Sequence, residues 1–295
     1  MEHNTIHTGD ATETLQELPP ESVNMVMTSP PYWNLRDYDH ADQLGLEPES
    51  DQYVQNMANV FDEVKRVLRP DGSLWLNLGD TYENKDLQQI PARVAIELQD
   101  RGWILRNRVT WAKPDAMPHS TKDRLNTTTE AVFHFVKERD YWYDLDAIRE
   151  PHESAKHHKK YDYGEGERPK LDSSDNRTDG VYGAGIHPKG KNPGDVFEVT
   201  TKPFPEAHFA VYPPELCEKP IKASCPKDDV VLDPFAGAGT TLLKAKELGR
   251  KFVGIELNAK YADMARARVG IDVKDPSNIR EGDGQSGLEA FEVGQ

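Results

Sequence analysis

Short apolar runs alternate with longer amphipathic stretches along most of the chain. Residues 23–27 and 230–232 are continuous apolar runs of strand length, whereas residues 53–68 carry apolar side chains at helical spacing. Strands are also predicted at 5–8, 73–78, 103–111, 130–136 and 251–255, and helices at 90–101, 214–223 and 261–269. This alternation predicts an α/β protein with a doubly wound, mostly parallel sheet.

A polar loop, Thr-Ser-Pro-Pro-Tyr-Trp at residues 28–33, follows the first apolar run. Open α/β sheets bind ligands at the carboxyl ends of their strands. Two prolines remove amide donors, so the loop offers carbonyl oxygens together with a serine hydroxyl and a tyrosine ring. Such a loop suits an exocyclic amine on a flat heterocycle, which makes Ser29, Pro30, Pro31 and Tyr32 candidate catalytic residues. Taken alone, it could equally be an ordinary proline turn.

A glycine-rich turn follows the apolar run at residues 230–232. It begins with Asp233 and contains Gly237 and Gly239, which let a ligand approach the backbone closely. Glu256 ends the next predicted strand, about 20 residues further on, where Rossmann-like units hold ribose hydroxyls. Leu242 stands where a dinucleotide fingerprint has its third glycine, and no P-loop lysine follows. A nucleoside cofactor without a pyrophosphate therefore fits best.

Both motifs, in this order, resemble those of the amino-directed DNA methyltransferases that use S-adenosylmethionine. The match is to the N4-cytosine type with the permuted (beta) motif order, and it extends over about residues 5–269. The resemblance implies a Rossmann-like fold and methyl transfer to the N4 amine of a cytosine flipped out of double-stranded DNA. Ser29 favours cytosine, but adenine N6 methylation stays open because both bases present a similar amine.

The resemblance also implies the cofactor contacts. In the family, an element like Gly9-Asp10 lies beside the adenine, and a segment like that around His208 packs against the methionine end. Asp10 could equally cap a helix. The expected S-adenosylmethionine contacts are Asp10, His208, Phe209, Asp233, Pro234, Phe235, Gly237, Gly239, Thr240 and Glu256.

Other elements of the pattern resemble parts of the family's target-base pocket. A turn with Trp111 and Lys113, followed by the acid Glu130, would flank this pocket, and Asp80 and Tyr82 are weaker candidates. Trp111 could stack on the flipped base or lie in the core, and Asp80 could belong to a strand-end turn. His134, within an apolar strand, is predicted to be a hydrogen-bonded core histidine.

Composition changes sharply near residue 150. Residues 150–193 are polar and carry basic clusters interleaved with tyrosines, which in this family context indicates a target-recognition insertion rather than a solvated linker. The expected DNA contacts are Arg36, Lys156, Lys159, Lys160, Lys189 and Lys191. The predicted organisation is a target-base half (1–149), the insertion (150–193), an S-adenosylmethionine-binding half (194–274) and a flexible tail (275–295).

The overall charge is unusual for a DNA-binding protein. With 36 basic and 51 acidic residues, the net charge is −15, so basic residues must gather where DNA lies. Such acidity favours a salt-accumulating source, and acidic members of this family suggest a haloarchaeal CTAG methylase. A restriction endonuclease is a possible partner, and a monomer or homodimer is expected. The sequence has no signal-peptide pattern and no apolar stretch long enough for a membrane span, which predicts a cytoplasmic location.

The two cysteines exclude other chemistry. Cys217 and Cys225 are too few for a zinc site, no histidine cluster has a convincing metal-ligand spacing, and neither cysteine follows a proline as the nucleophile of carbon-5 cytosine methylation does. A catalytically silent DNA-binding protein and an RNA or protein amine methyltransferase are the remaining alternatives. The intact motif loops weigh against the first, and the basic, aromatic insertion weighs against the second.

Overall fold

The structure is a computed structural model that describes residues 1–35, 43–118, 120–152, 187–201 and 211–279. Within these residues the strands are β1 (Thr5–Thr8), β2 (Val23–Thr28), β3 (Leu68–Leu78), β4 (Tyr82–Glu83), β5 (Asp86–Leu87), β6 (Ile104–Ala112), β7 (Thr129–Val136), β8 (Val196–Glu198), β9 (Val230–Asp233) and β10 (Lys251–Glu256). The helices are α1 (Ala11–Glu17), α2 (Ser50–Val67), α3 (Ile90–Asp100), α4 (Pro214–Ser224), α5 (Thr240–Glu247) and α6 (Ala259–Val269).

An eight-stranded sheet in the order β1-β10-β9-β2-β3-β7-β6-β8 forms the centre of the fold. Only β7 runs antiparallel to its neighbours, β3 and β6. The hairpin β4–β5 lies outside this sheet. The predicted mostly parallel α/β fold is therefore confirmed.

Helices cover both faces of the sheet because its central strands are apolar on both sides. Along β2, Val23 and Val26 face the core built with α1, α2 and α3, whereas Met25 and Met27 face the core built with α4, α5 and α6. All four side chains are fully buried. A strand buried on both faces reads as a continuous apolar run, which is the pattern that predicted it.

The strands that carry the two motif loops lie side by side. Met25 pairs with Val231 and Val26 with Leu232, in parallel register. Parallel strands end at the same edge of a sheet, so the loop after Thr28 and the loop after Asp233 emerge together. The two motif loops therefore lie next to each other at this edge of the sheet.

The chain divides into two compact units, one of Met1–Tyr143 with Asp195–Gln295 and one of Asp144–Gly194. In the described part of the second unit, a short 3-10 helix covers Leu145–Ile148, and Glu150 forms an antiparallel bridge with Lys191.

Two predictions need correction. Strand β3 begins at Leu68, directly after α2, because residues 68–72 continue the strand instead of forming a connecting turn. The predicted flexible tail begins with an ordered 3-10 turn, Pro276–Asn278, in which Asn278 Nδ2 donates to Asp263 of α6 at 2.8 Å. No helix in the described ranges is long and apolar enough to cross a membrane.

Candidate active site

A pocket opens at the carboxyl edge of the sheet where the two motif loops meet. It is lined by Gly9, Asp10, Ala11, Ser29, Pro31, Gln43, Leu44, Val211, Tyr212, Asp233, Pro234, Phe235, Ala236, Gly237, Ala238, Thr240, Glu256, Leu257, Asn258 and Tyr261. Its charged lining consists of carboxylates, since no lysine or arginine occurs among the described residues around it. A cationic ligand suits such a pocket better than a phosphate does.

The glycine-rich loop gives this pocket a backbone wall. Gly237 has φ +50°, and a Cβ built there would meet no atom within 4 Å, so the backbone is open to a ligand. Gly239, at φ +77°, lies behind the wall, where its Cβ would come within 3.0 Å of the Ala265 side chain. Gly237 therefore has the predicted ligand-facing position, whereas Gly239 fits α5 against α6.

Glu256 lies in the pocket and holds the loop from its far side. Its Oε2 accepts from the Gly237 amide at 2.8 Å and its Oε1 from the Asn258 amide at 2.9 Å. Burial raises the pKa of Glu256 to about 7, although these two hydrogen bonds oppose the shift. Each carboxylate oxygen keeps a lone pair for a ligand hydroxyl.

Asp233 acts inside the protein more than toward the pocket. Its Oδ1 accepts from the Thr28 hydroxyl at 2.6 Å and from the Phe235 amide at 3.1 Å, which ties the ends of β9 and β2 together. The Tyr212 hydroxyl lies 3.5 Å from Asp233 Oδ2 and hydrogen-bonds to the Thr241 hydroxyl. The sequence did not suggest this role for Tyr212. Burial raises the pKa of Asp233 to about 6.

The remaining predicted cofactor contacts have mixed placements. Pro234 and Phe235 line the pocket. Asp10 also lines it, while its Oδ1 accepts from the Glu13 amide at 2.9 Å, so the helix-cap interpretation is confirmed. The Thr240 hydroxyl accepts from Arg268 at 3.0 Å. His208 and Phe209 lie outside the described residues.

Ser29 connects the pocket to a polar cluster around Tyr32. The two hydroxyl oxygens are 3.0 Å apart. Tyr32 Oη donates to Glu130 Oε2 at 2.8 Å and accepts from Asn77 Nδ2 at 3.1 Å. One edge of the Tyr32 ring lies so close to Gly79 that a Cβ there would be 2.5 Å from Cε2, which fixes the position of the ring.

Glu130 completes this cluster from strand β7. Its Oε1 forms an ion pair with Lys113, and its Oε2 also accepts from Asn77 at 2.8 Å. Burial, with the Glu130 charge second, raises the pKa of Tyr32 well above its usual value, so the phenol keeps its proton. The sequence predicted that Lys113 and an acid flank the target-base pocket. It did not indicate that Asn77 belongs to this cluster.

Trp111, Asp80 and His134 have structural roles. Trp111 is 3% exposed and donates its indole N–H to the Val199 carbonyl at 2.9 Å, so the stacking interpretation is wrong. Asp80 accepts from the Ile90 amide at 3.0 Å, at the start of α3. His134 is buried 3.1 Å from Ser73 Oγ, and burial lowers its pKa to about 3, which confirms a neutral core histidine. Tyr82, by contrast, is exposed beneath Arg124.

Neither cysteine can act as a nucleophile. Both are buried free thiols. Burial raises the pKa of Cys217 far above its usual value and that of Cys225 to about 12. No group of three or more potential metal ligands occurs in the parts of the chain that the structure describes.

The predicted DNA contacts are described only in part. Lys189 Nζ lies 2.8 Å from Asp146 Oδ2, and Lys191 Nζ lies 3.8 Å from Glu150 Oε2. Each of these lysines is therefore paired with an acid of its own unit. Arg36, Lys156, Lys159 and Lys160 lie outside the described residues.

Comparison with known proteins gives consistent matches over most of the chain. The family model described as DNA methylase matches residues 23–267. The Type II methyltransferase M.XycI of Xanthomonas campestris pv. cyanopsidis is 39% identical, over 90% of this chain and 87% of that protein. M.Cfr9I of Citrobacter freundii, also a Type II methyltransferase, is 37% identical over the same shares.

Solved structures show the same fold. The PvuII DNA methyltransferase (cytosine-N4-specific) superposes with a TM-score of 0.69 at 21% identity, covering 98% of this chain and 94% of that one. TTHA0409 of Thermus thermophilus, complexed with S-adenosyl-L-methionine, has a TM-score of 0.59 at 27% identity and covers 90% of this chain and 94% of its own. Because the family match and the Type II relatives extend over both motif loops and the sheet that brings them together, the chain belongs to the DNA methylase family and is a DNA methyltransferase of the Type II restriction-modification kind.

Proposed function

We propose that this methyltransferase transfers a methyl group from S-adenosylmethionine to the N4 amine of a cytosine flipped out of double-stranded DNA. The observation that carries the proposal is the position of Ser29, which lines the pocket and hydrogen-bonds to the Tyr32 cluster. The fold neighbour described as cytosine-N4-specific supports the choice of base.

The pocket suits S-adenosylmethionine. This molecule is cationic at its sulfonium and ammonium groups, and the pocket offers Asp10, Asp233 and Glu256 without a basic side chain among its described lining residues. Glu256 stands at the end of β10, where its free lone pairs can accept the ribose hydroxyls. Gly237 leaves its backbone open to close approach. The bound S-adenosylmethionine supplies an electrophilic methyl group.

The protein's own contribution is to make a poor nucleophile competent. The lone pair of a base amine is delocalised into the ring, and hydrogen bonds from its N–H groups to Ser29 Oγ and the Pro30 carbonyl would localise that lone pair on nitrogen. These acceptors are fixed before the base arrives, since Thr28 is tied to Asp233 and Tyr53 donates to the Pro31 carbonyl at 2.8 Å. Preorganised acceptors of this kind stabilise positive charge as it develops on the amine.

Base flipping follows from the same geometry. A paired cytosine amine is buried in the duplex, so the base must leave the stack before it reaches Ser29. We infer that the flipped base stacks on the Tyr32 ring, one edge of which lies against Gly79. The predicted DNA contacts, Lys189 and Lys191 among them, would bind phosphates of the duplex.

Mass spectrometry of methylated nucleosides tests this proposal. The protein is incubated with S-adenosylmethionine and unmethylated duplex DNA at low and high KCl, and the DNA is digested to nucleosides. We expect N4-methylcytosine, formed about 100-fold more slowly by Ser29→Ala because one charge-stabilising acceptor is lost. The matched control is Ser22→Ala, because the Ser22 hydroxyl donates to the Pro19 carbonyl, outside the pocket lining, and this variant should keep the wild-type rate.

Other products would change the assignment. N6-methyladenine would replace cytosine by adenine as the target base, with the same loop performing the chemistry. Absence of any methylated base at either salt concentration, with S-adenosylmethionine bound, would overturn the proposal of DNA cytosine as the acceptor.

A further inference from the structure

The Tyr32 hydroxyl is the centre of a hydrogen-bonded cluster that the proposed chemistry does not yet use. Its neighbours are Ser29 Oγ at 3.0 Å, Glu130 Oε2 at 2.8 Å and Asn77 Nδ2 at 3.1 Å. The Glu130 side chain is 16% exposed and that of Lys113 is 20% exposed, so the cluster is largely shielded from water. Hydrogen bonds in such surroundings are strong and well ordered.

The direction of each hydrogen bond follows from the chemistry of the groups. A carboxylate only accepts, so the single Tyr32 hydroxyl proton lies on the bond to Glu130. The Tyr32 oxygen must then accept from both other neighbours, and the Ser29 hydroxyl proton therefore points at Tyr32. The outer lone pairs of Ser29 Oγ are left to face the pocket as acceptors. Glu130 thus fixes Ser29 in the acceptor state that an incoming amine requires.

These hydrogen-bond directions lower the stability of the protein at Asn77. Its Nδ2 donates both to Tyr32 and to Glu130 Oε2, at 3.1 and 2.8 Å. In this orientation its carbonyl oxygen, Oδ1, is buried without a hydrogen-bond partner in the described structure. An unpaired buried acceptor destabilises a protein by about 1–3 kcal/mol. Local polar strain of this kind concentrates at functional sites.

We propose that Ser29, Tyr32 and Glu130 form a proton relay that removes the proton released by the methylated amine. The inference rests on the proposed function. Once the amine nitrogen carries the methyl group it is positively charged, and its N–H bond breaks as Ser29 Oγ takes the proton. Ser29 passes its own proton to the Tyr32 oxygen, and Tyr32 passes its own to Glu130 Oε2. Two neutral hydroxyls and a neutral methylated amine result, with the proton on Glu130.

The ion pair with Lys113 makes Glu130 a suitable end of this relay. Lys113 stands over the Trp111 ring, 4.4 Å from its centre, and bonds to Oε1, which leaves Oε2 free for Tyr32 and Asn77. The lysine holds the carboxylate in place before reaction.

Glu130→Gln is the variant that tests the relay, because it keeps the shape of the side chain and removes the proton acceptor. We expect the single-turnover rate of methyl transfer in the preformed complex to fall about 100-fold, the usual contribution of acid–base catalysis. Dissociation constants for S-adenosylmethionine and for duplex DNA should stay within about 3-fold of wild type, since neither ligand is bound by Oε2. Glu130→Asp, which keeps the charge, should recover part of the rate.

A double-mutant cycle tests whether Tyr32 and Glu130 act as one unit in the reaction. Tyr32→Phe also interrupts the relay, so Tyr32→Phe/Glu130→Gln should be no slower than the slower single variant. Tyr141→Phe is the matched control, because it removes a tyrosine hydroxyl that accepts from Arg106 Nε at 3.0 Å, outside the pocket lining and the relay. It should change the rate much less than Tyr32→Phe does.

Each outcome decides a different question. A wild-type protein that methylates no DNA contradicts the proposed function itself. If the wild type is active and Glu130→Gln retains more than a third of its rate, only the relay is wrong. Multiplying rate losses in the double variant, or a rate loss matched by weaker DNA binding, would overturn the relay in favour of a structural role.

Discussion

At the scale of single residues, Glu256 combines a proposed contact with the cofactor ribose and a poorly solvated charge. Burial raises its pKa in the folded protein to about 7, against an ordinary value of 4.5. The folded state therefore holds a proton that the unfolded state releases between these values. Its favourable contribution to folding is present at pH 4.5 and below and is lost as the pH rises through 7. The charged form that would accept the proposed ribose hydrogen bonds is thus the form that weakens the free protein.

Glu256→Gln should separate these two effects. The melting temperature of the free variant, relative to wild type, should increase between pH 5 and pH 8, since glutamine does not titrate. Its affinity for S-adenosylmethionine should fall about 10- to 100-fold, the worth of a hydrogen bond to a charged group. Thermal unfolding across pH and calorimetric titration measure the two quantities. A melting-temperature difference independent of pH would contradict this account.

Sequence reasoning at this scale predicted the position of a residue where that position depends on its neighbours in the chain. Ser29 directly follows β2 and Glu256 ends β10, and both line the pocket. For Trp111 the sequence left base stacking and the core open, and the structure places it in the core, because its burial depends on contacts such as that with Val199, which is distant in the sequence. Asn77 escaped notice for the same reason, since its amide acquires meaning only beside Tyr32 and Glu130.

At the scale of elements, the loop from β9 to α5 contains two glycines with different structural reasons. Gly237→Ala would place a methyl group in open space facing the pocket, whereas Gly239→Ala would push it to 3.0 Å from Ala265. Both positions have positive φ, so each alanine is strained by about 1–2 kcal/mol. The contact with Ala265 adds to the cost only for Gly239→Ala.

Gly239→Ala should therefore mainly lower stability, whereas Gly237→Ala should mainly lower the affinity for S-adenosylmethionine. Gly239→Ala should lower the free energy of unfolding by about 2–4 kcal/mol, and Gly237→Ala by about 1–2 kcal/mol. Gly237→Ala should weaken S-adenosylmethionine binding more than 10-fold, because its methyl group occupies ligand space, while folded Gly239→Ala should bind nearly normally. Urea unfolding and calorimetry check the pair. Equal losses of affinity in both variants would show that the loop acts as one unit.

Helices and strands were predictable where the apolar pattern extends over enough residues to show its period. Strands β2 and β9 and helix α2 match their predicted ranges closely because each buries a full apolar run or stripe. Strand β8 and the β4–β5 hairpin, with two or three residues per strand, are too short to show a period. They form because their backbone groups pair with those of an adjacent strand. The local pattern of apolar residues does not show this pairing.

At the scale of the whole molecule, a net charge of −15 opposes binding to a polyanion. The pocket adds carboxylates to that field, so the DNA contacts must come from local basic groups. A salt-accumulating source and a CTAG target stay predictions, since the compared relatives named above include Xanthomonas and Citrobacter enzymes and their names give no target sequence. Family and fold, by contrast, were readable from the sequence, because the two motifs are contiguous and each directly follows an apolar strand.

The lysines of the second unit give the last prediction, because their acids compete with DNA for them. Lys189 with Asp146 and Lys191 with Glu150 are partly exposed ion pairs, which are weak enough to exchange for phosphate. Each phosphate contact contributes about 0.9 to the slope of log affinity against log salt, so Lys189→Ala/Lys191→Ala should reduce that slope by about 1.8. Asp146→Asn should strengthen DNA binding at low salt, because Lys189 then does not have to break its ion pair with Asp146 before it binds a phosphate. Fluorescence anisotropy with duplex DNA from 50 to 300 mM KCl, on the order of physiological ionic strength, measures both. An unchanged slope in the double variant would place the DNA contacts of this acidic protein elsewhere on its surface.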